Sequence, residues 1–194
     1  DLSLACTLGF RGEALASIAA VSEFILVSRP VTSPSAHQIR VHGGELLDIS
    51  PDARAPGTTV IVERLFFNVP ARRKFLRSAA SESSQVAQLL SQLAYPEVAF
   101  QLIIDGRRAL STSGSGDPMD AAVAVLGRDV AVALLPLEGA VDMDPPGRGP
   151  AARLSGYVAS PTVSRATRSG VWLFVNRRPV RSRTLVHAVE SGYQ

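Results

Sequence analysis

Two segments hold residue types whose spacing could do chemistry. In Thr7-Leu8-Gly9-Phe10-Arg11-Gly12-Glu13-Ala14-Leu15, two glycines separated by two residues lead into a helix-forming run. Free backbone N–H groups and the helix dipole would face outward together there, as a phosphate group requires. Gly9 and Gly12 permit positive φ and close approach of the backbone, and Arg11 adds a cation. The same local pattern also describes an ordinary glycine-containing turn before a helix. No Gly-Lys-Ser/Thr follows, so it is not a Walker loop.

The second segment is basic. Between Asp144 and Glu190 there is no acidic residue, while Arg148, Arg153, Arg165, Arg168, Arg177, Arg178, Arg181 and Arg183 fall there. These eight arginines against Glu190 alone give residues 145–194 a formal charge of +7, whereas residues 1–144, with 12 basic and 16 acidic side chains, carry −4. Such a split points to a polyanion partner at one end; a solvated face of an arginine-rich protein is the plainer reading. Arg165, Arg168, Arg178, Arg181 and Arg183 are the candidate phosphate contacts. His37, His42 and His187 lie far apart without acidic or thiol companions at ligand spacing, which argues against a metal site. No Gly-x-Ser-x-Gly elbow is present for hydrolase chemistry.

The elements that would position these residues follow from periodicity. Gly12 to Val21 predicts a short amphipathic helix with Leu15, Ile18 and Ala19 on its apolar side. Strands are predicted at Glu23 to Ser28, Gln38 to His42 and Thr58 to Leu65, separated by turn signals at Pro30 to Pro34, Gly43-Gly44 and Pro56-Gly57. Pro70 starts a helix in which Phe75 and Leu76 are the expected core contacts, and a longer helix spans about Ser81 to Tyr95. Beyond Pro96 come strands at Val98 to Ile104 and Arg108 to Thr112, a helix at Asp117 to Leu126 and a strand at Val130 to Pro136. The run Asp142 to Pro150, with two adjacent prolines and two glycines, is a loop joining two strands. Strands at Arg153 to Ala159 and Val171 to Val175 and a closing helix at Thr184 to Tyr193 complete the reading.

With 194 residues, 46% of them hydrophobic and 19% charged, the chain can bury one substantial core or two modest ones and is too apolar for a disordered tail. Cys6 is the only cysteine, which excludes an internal disulfide. No stretch approaches the roughly 20 apolar residues of a membrane span, and Asp1 to Thr7 lacks the basic flank of a secretory signal, so the expectation is a soluble, cytoplasmic protein, or a nuclear one if eukaryotic.

Three blocks carry a family resemblance. Gly9-Phe10-Arg11-Gly12-Glu13-Ala14-Leu15 with Ala16-Ser17-Ile18 resembles the lid motif of MutL mismatch-repair proteins, members of the superfamily that also holds gyrase, a heat-shock chaperone and histidine kinases. Gly57-Thr58-Thr59-Val60 with Leu65-Phe66-Phe67-Asn68-Val69-Pro70-Ala71-Arg72-Arg73-Lys74-Phe75-Leu76 is similar to the family's second block, and Phe174-Val175-Asn176-Arg177-Arg178-Pro179-Val180 to a strand and turn of its second domain.

The resemblance implies an α+β fold. Residues 1–80 would be the carboxyl-side half of an α/β-sandwich (Bergerat) ATPase domain, and residues 81–194 most of a ribosomal-protein-like βαβ transducer domain with a left-handed crossover. It implies ATP with Mg2+ as the cofactor of the intact protein. Backbone amides of Gly9, Phe10, Arg11, Gly12, Glu13 and Ala14 would wrap the β- and γ-phosphates, and Thr58 would line the adenine end. It places Arg183 where a DNA-contacting arginine occurs, whereas Asn68, Arg72 and Arg73 are accounted for by a helix cap and solvated charges. The implied partners are DNA without sequence preference, a MutS-type mismatch sensor, a second copy of the chain, and a downstream nuclease or helicase. The family's catalytic glutamate in Glu-x-x-x-Asn and its adenine-binding Asp-x-Gly-x-Gly do not occur between Asp1 and Gln194, so no catalytic residue is expected in this chain. Other classes consistent with the residues are a type II topoisomerase subunit and a nucleotide-independent nucleic-acid-binding module.

Overall fold

The computed structural model describes residues 12–94, 96–142, 150–163 and 170–193. The chain divides into two compact units, with the main division between Glu82 and Ser83.

The first unit opens with helix α1 (Ala14–Ala19), then four strands, β1 (Glu23–Arg29), β2 (Ala36–His42), β3 (Glu45–Asp52) and β4 (Gly57–Glu63), and a short helix α2 (Pro70–Arg73). The strands form one antiparallel sheet in the order β3-β2-β1-β4. Register sorts the side chains by face, because alternate residues of a strand point to opposite sides. Phe24, Leu26 and Ser28 share a face with Val62, Val60 and Thr58 of β4 and with Val41, Ile39 and His37 of β2. Phe24 is buried on this face, yet Val60, Val62 and, on β3, Ile49 remain exposed. Among the described residues of the unit, Ala19, Ser22 and Phe24 are buried at the α1 end, while Ala36, at the start of β2, is buried at the opposite end of the sheet.

Strand β3 departs from expectation, since Glu45 to Asp52 has no clean alternation of apolar and polar residues. It forms as an edge strand paired through its backbone to β2, with a bulge at Arg40/Val41, and Glu45, Asp48 and Asp52 give that edge the charge that discourages further pairing. Strand β4 stops at Glu63 rather than Leu65, because Arg64 and Phe66 take φ of 49° and 63° and leave the extended region. Phe75 and Leu76 are not core contacts here: Phe75 is 86% exposed and Leu76 42%.

Helix α3 (Ala79–Gln92) crosses the division, and the second unit continues with the hairpin β5 (Gln101–Ile104) and β6 (Arg107–Ser111), helices α4 (Pro118–Leu126) and α5 (Arg128–Ala131), the hairpin β7 (Leu134–Asp142) and β8 (Pro150–Ala159), the hairpin β9 (Leu173–Val175) and β10 (Arg178–Val180), and helix α6 (Arg183–Ser191). Asp105-Gly106 and Asn176-Arg177 turn two of the hairpins with positive φ at both central residues, the conformation that matches strand twist. Asp117 caps α4 by accepting from Met119 N at 2.8 Å, with Pro118 in the first turn where its missing N–H costs nothing. The expected strand at Val130 to Pro136 is split. Val130 and Ala131 belong to α5 and the strand starts at Leu134, because Gly127 ends α4 and Asp129 favours a new first turn. The expected loop through Asp142 to Pro150 lies mostly outside the described residues; its flanks are β7 and β8, which pair antiparallel. Among the described residues of this unit, Leu110, Thr112, Ala121 and Ala131 are buried.

Candidate functional site

Gly9, Phe10 and Arg11 lie outside the described residues, so the structural account of the glycine-rich segment starts at Gly12. Gly12 takes φ +66°, and a Cβ there would meet nothing within 4 Å. Glu13 is the N-cap residue of α1. Its backbone is in the αR region, which does not aim a side chain at the first-turn amides, and no side-chain cap bond forms. Residues 12–17 are all exposed. The amino end of α1 is therefore exposed beside a left-handed glycine, and Glu13 gives its amides no side-chain cap; exposed first-turn amides are chemically suited to an anion.

The carboxyl end of α1 is the opposite case. Ala19, Val21 and Ser22 carbonyls accept from Gly44 N, Phe66 N and Gly43 N at 3.0, 2.7 and 3.0 Å. The Ser22 hydroxyl, fully buried, donates to the Ile18 carbonyl at 2.7 Å. Asn68 does not cap its own helix, whose N-cap is Val69; its Nδ2 donates to the Ala20 carbonyl at 3.0 Å. Spacing alone gave no hint of that bond, because the partners are 48 residues apart. Arg72 and Arg73 are exposed, as solvated charges would be.

Thr58 is at the other end of the sheet. It pairs with Ser28, and their hydroxyls are 2.9 Å apart on the half-uncovered apolar face. Ser28 lies five residue steps along β1 from Glu23, beside α1, a span of roughly 17 Å at strand rise. The structure does not bring Thr58 together with the α1 residues; it puts them at opposite ends of one sheet.

Around the α1–β1 joint lies a small polar and aromatic cluster that spacing had not suggested. Glu23 Oε1 is 2.6 Å from Arg64 Nη1 and 3.6 Å from His42 Nδ1. The His42 ring lies 4.5 Å from that of Phe67, and the Arg64 guanidinium stands 5.3 Å over the same Phe67 ring. His42 thus has an acidic neighbour after all, supplied by register pairing with Glu23 rather than by sequence spacing. No group of three or more His, Cys, Asp or Glu able to hold a metal ion occurs among the described residues.

Of the basic candidates, Arg165 and Arg168 lie outside the described residues. Arg178 is half-buried on β10, while Arg181 and Arg183 are exposed on either side of Ser182. Ser182 caps α6, its extended backbone letting the hydroxyl accept from Leu185 N at 3.3 Å. Arg183 is the first residue of that helix, so its cation adds to the positive end of the dipole instead of offsetting it. Arg177 pairs with Glu97, its Nη2 3.2 Å from Oε1. No helix among the described residues is long and apolar enough to cross a membrane.

The family model for the C-terminal domain of DNA mismatch repair protein matches residues 122–194. The chain is 46% identical over 194 residues to DNA mismatch repair protein MutL of Desulforudis audaxviator, covering 99% of this chain and 33% of that protein. It is 43% identical to the MutL of Symbiobacterium thermophilum, covering 100% of this chain and 29% of that one. Among solved structures, the Aquifex aeolicus MutL ATPase domain complexed with ADP superposes with a TM-score of 0.72 at 30% identity, over 92% of this chain and 67% of that domain. The mixed helices and antiparallel sheets are thus those of a mismatch-repair ATPase-domain fold. The chain belongs to the MutL family of DNA mismatch repair proteins. It spans about a third of the length of the curated relatives it matches.

Proposed function

We propose that this chain forms part of the ATP-operated clamp of a MutL-type mismatch repair protein. ATP binding orders the lid around Gly9 to Ala14, the ordered lid completes a dimer surface, and two subunits close around DNA. Closure couples mismatch detection by a MutS-type sensor to strand removal by a nuclease or helicase, and hydrolysis releases the clamp. A γ-phosphate that orders a loop is an established route for such coupling.

The observation that carries this reading is the asymmetry of α1: its carboxyl end is held by tertiary hydrogen bonds, while its amino end is exposed, uncapped and preceded by Gly12 at φ +66°. Such a segment can be ordered by a ligand that offers acceptors to exposed first-turn amides. The ADP bound by the Aquifex aeolicus domain supports a nucleotide as that ligand. Thr58 would line the adenine end, a reading supported by the exposure of Val60 and Val62 beside it on the apolar face. Mg2+ would arrive with the nucleotide. The described residues offer no acidic cluster for it, and no step here runs through it.

The DNA contact is assigned to Arg178, Arg181 and Arg183 at the entry to α6, with Arg165 and Arg168 adding to the field. Neutralising about four phosphates would make binding fall with roughly the third to fourth power of salt concentration and would confer little sequence preference. Proline at position 12 cannot adopt the positive φ of Gly12. In the full-length protein, Gly12→Pro is expected to abolish dimerisation driven by a non-hydrolysable ATP analogue while leaving DNA binding nearly intact. Equal loss of both, measured by analytical ultracentrifugation and by DNA titration, would count against a lid-specific role.

A further inference from the structure

Arg177 stands at a position that favours glycine. Asn176 and Arg177 are the central residues of the β9–β10 turn, and their φ values are 49° and 66°. A two-residue turn of this hand takes glycine most readily at its second central position, since a Cβ there crowds the backbone. Turn formation alone therefore gives no reason for an arginine. What the position supplies is a place beside Arg178 and four residue steps from Arg181, roughly 13 Å at strand rise, within the acid-free stretch 145–189.

The counter-ion of Arg177 comes from outside that stretch. Its Nη2 lies 3.2 Å from Oε1 of Glu97, in the segment between α3 and β5. That segment is fixed through its backbone on both sides of Glu97. The Pro96 carbonyl accepts from Gly116 N at 2.9 Å, the Val98 carbonyl accepts from the Thr112 hydroxyl at 3.2 Å, and Phe100 N donates to the same hydroxyl oxygen at 2.8 Å. Thr112 is buried, and a Cβ on Gly114 would stand 2.5 Å from Ala99 N, so the close approach there requires glycine. An anchored segment thus presents a carboxylate to a cation on a turn. The pair itself is open to solvent, with the arginine side chain 75% and the glutamate side chain 51% exposed.

We propose that Glu97 is an internal stand-in for a DNA phosphate. In the free protein it neutralises Arg177, and on binding it yields that cation to the polyanion. An ion pair this exposed is weak and is screened by salt. Duplex DNA carries one negative charge per roughly 1.7 Å of axis, and each phosphate neutralised releases condensed counterions, a gain that a lone carboxylate does not give. The exchange therefore favours DNA, and Glu97 sets how much of the basic surface is available before DNA arrives. This rests on the assignment of DNA to Arg178, Arg181 and Arg183 above. It adds a further cation, whose use is gated by an acid of the same unit.

The test is a titration of the full-length protein with a duplex oligonucleotide across salt concentrations, read by fluorescence anisotropy, with Tm recorded alongside. Glu97→Gln is expected to tighten binding about threefold at low salt, within the range an exposed ion pair supports. Arg177→Gly, which supplies the residue the turn favours, should weaken binding by about the same factor and lower the slope of log affinity against log salt by roughly 0.9. In the double variant the gain from Glu97→Gln should vanish, because the cation it releases is gone. A gain of equal size with and without Arg177 would show a general effect of charge and overturn the inference, as would wild-type affinity in either single variant. If Arg181→Glu with Arg183→Glu binds DNA as tightly as the wild type, it is the DNA reading that fails instead.

Discussion

Helices α1 and α6 both present an amino end to a proposed phosphate, and they are built in opposite ways. At α6, Ser182 has an extended backbone, and its hydroxyl already satisfies a first-turn amide. What remains for a ligand is charge: Arg181 and Arg183, exposed on either side of the cap. At α1 the N-cap residue Glu13 has helical backbone angles and gives no cap, and the order of the helix comes from its other end. A preformed, charged helix start suits a polyanion of any sequence, bound through its field. A helix start completed by the ligand suits a switch, since the bound and free states differ in structure.

The contrast can be broken most forcefully on the α6 side. Reversing Arg181→Glu and Arg183→Glu is expected to weaken DNA binding on the order of 100-fold at low salt and to lower the slope of log affinity against log salt by about two. Unchanged affinity in a titration across salt concentrations would remove the DNA assignment. A smaller effect belongs to α1. Gly12→Ala introduces a Cβ into open space, so its only penalty is the left-handed backbone, worth about fivefold to thirtyfold in affinity for a triphosphate analogue. Wild-type affinity in that variant would mean the ordered lid does not use the positive φ. The smallest effect is expected at Ser182→Ala, which removes the α6 cap at about 1 kcal/mol of local stability. Hydrogen exchange should rise at the Leu185 amide while DNA affinity falls by only a few-fold. A loss as large as that of the arginine pair would show that α6 also depends on induced order.

Most of the elements were legible because their periodicity is local. Glu23 to Ser28 and Thr58 to Leu65 are runs of β-branched and apolar residues, and Asp117-Pro118 announces a helix start through residue types that act within four positions. β3 was not legible, since its pairing is set by β2 and not by its own alternation. Phe75 and Leu76 misled because hydrophobicity says a side chain can be buried, not that a surface is present to bury it.

The sequence by itself determined the family, through three blocks in order, and showed the glycine-rich segment and the acid-free basic stretch. Only the tertiary structure decided that Asn68 serves Ala20 instead of its own helix, that Arg177 is spent on Glu97, and that Thr58 faces the apolar side of the sheet at the end remote from α1. The reason is range. Capping, turn formation and strand propensity act over a few residues and leave their mark in composition and spacing. A hydrogen bond or ion pair between residues tens of positions apart depends on register and turn geometry that no local pattern encodes.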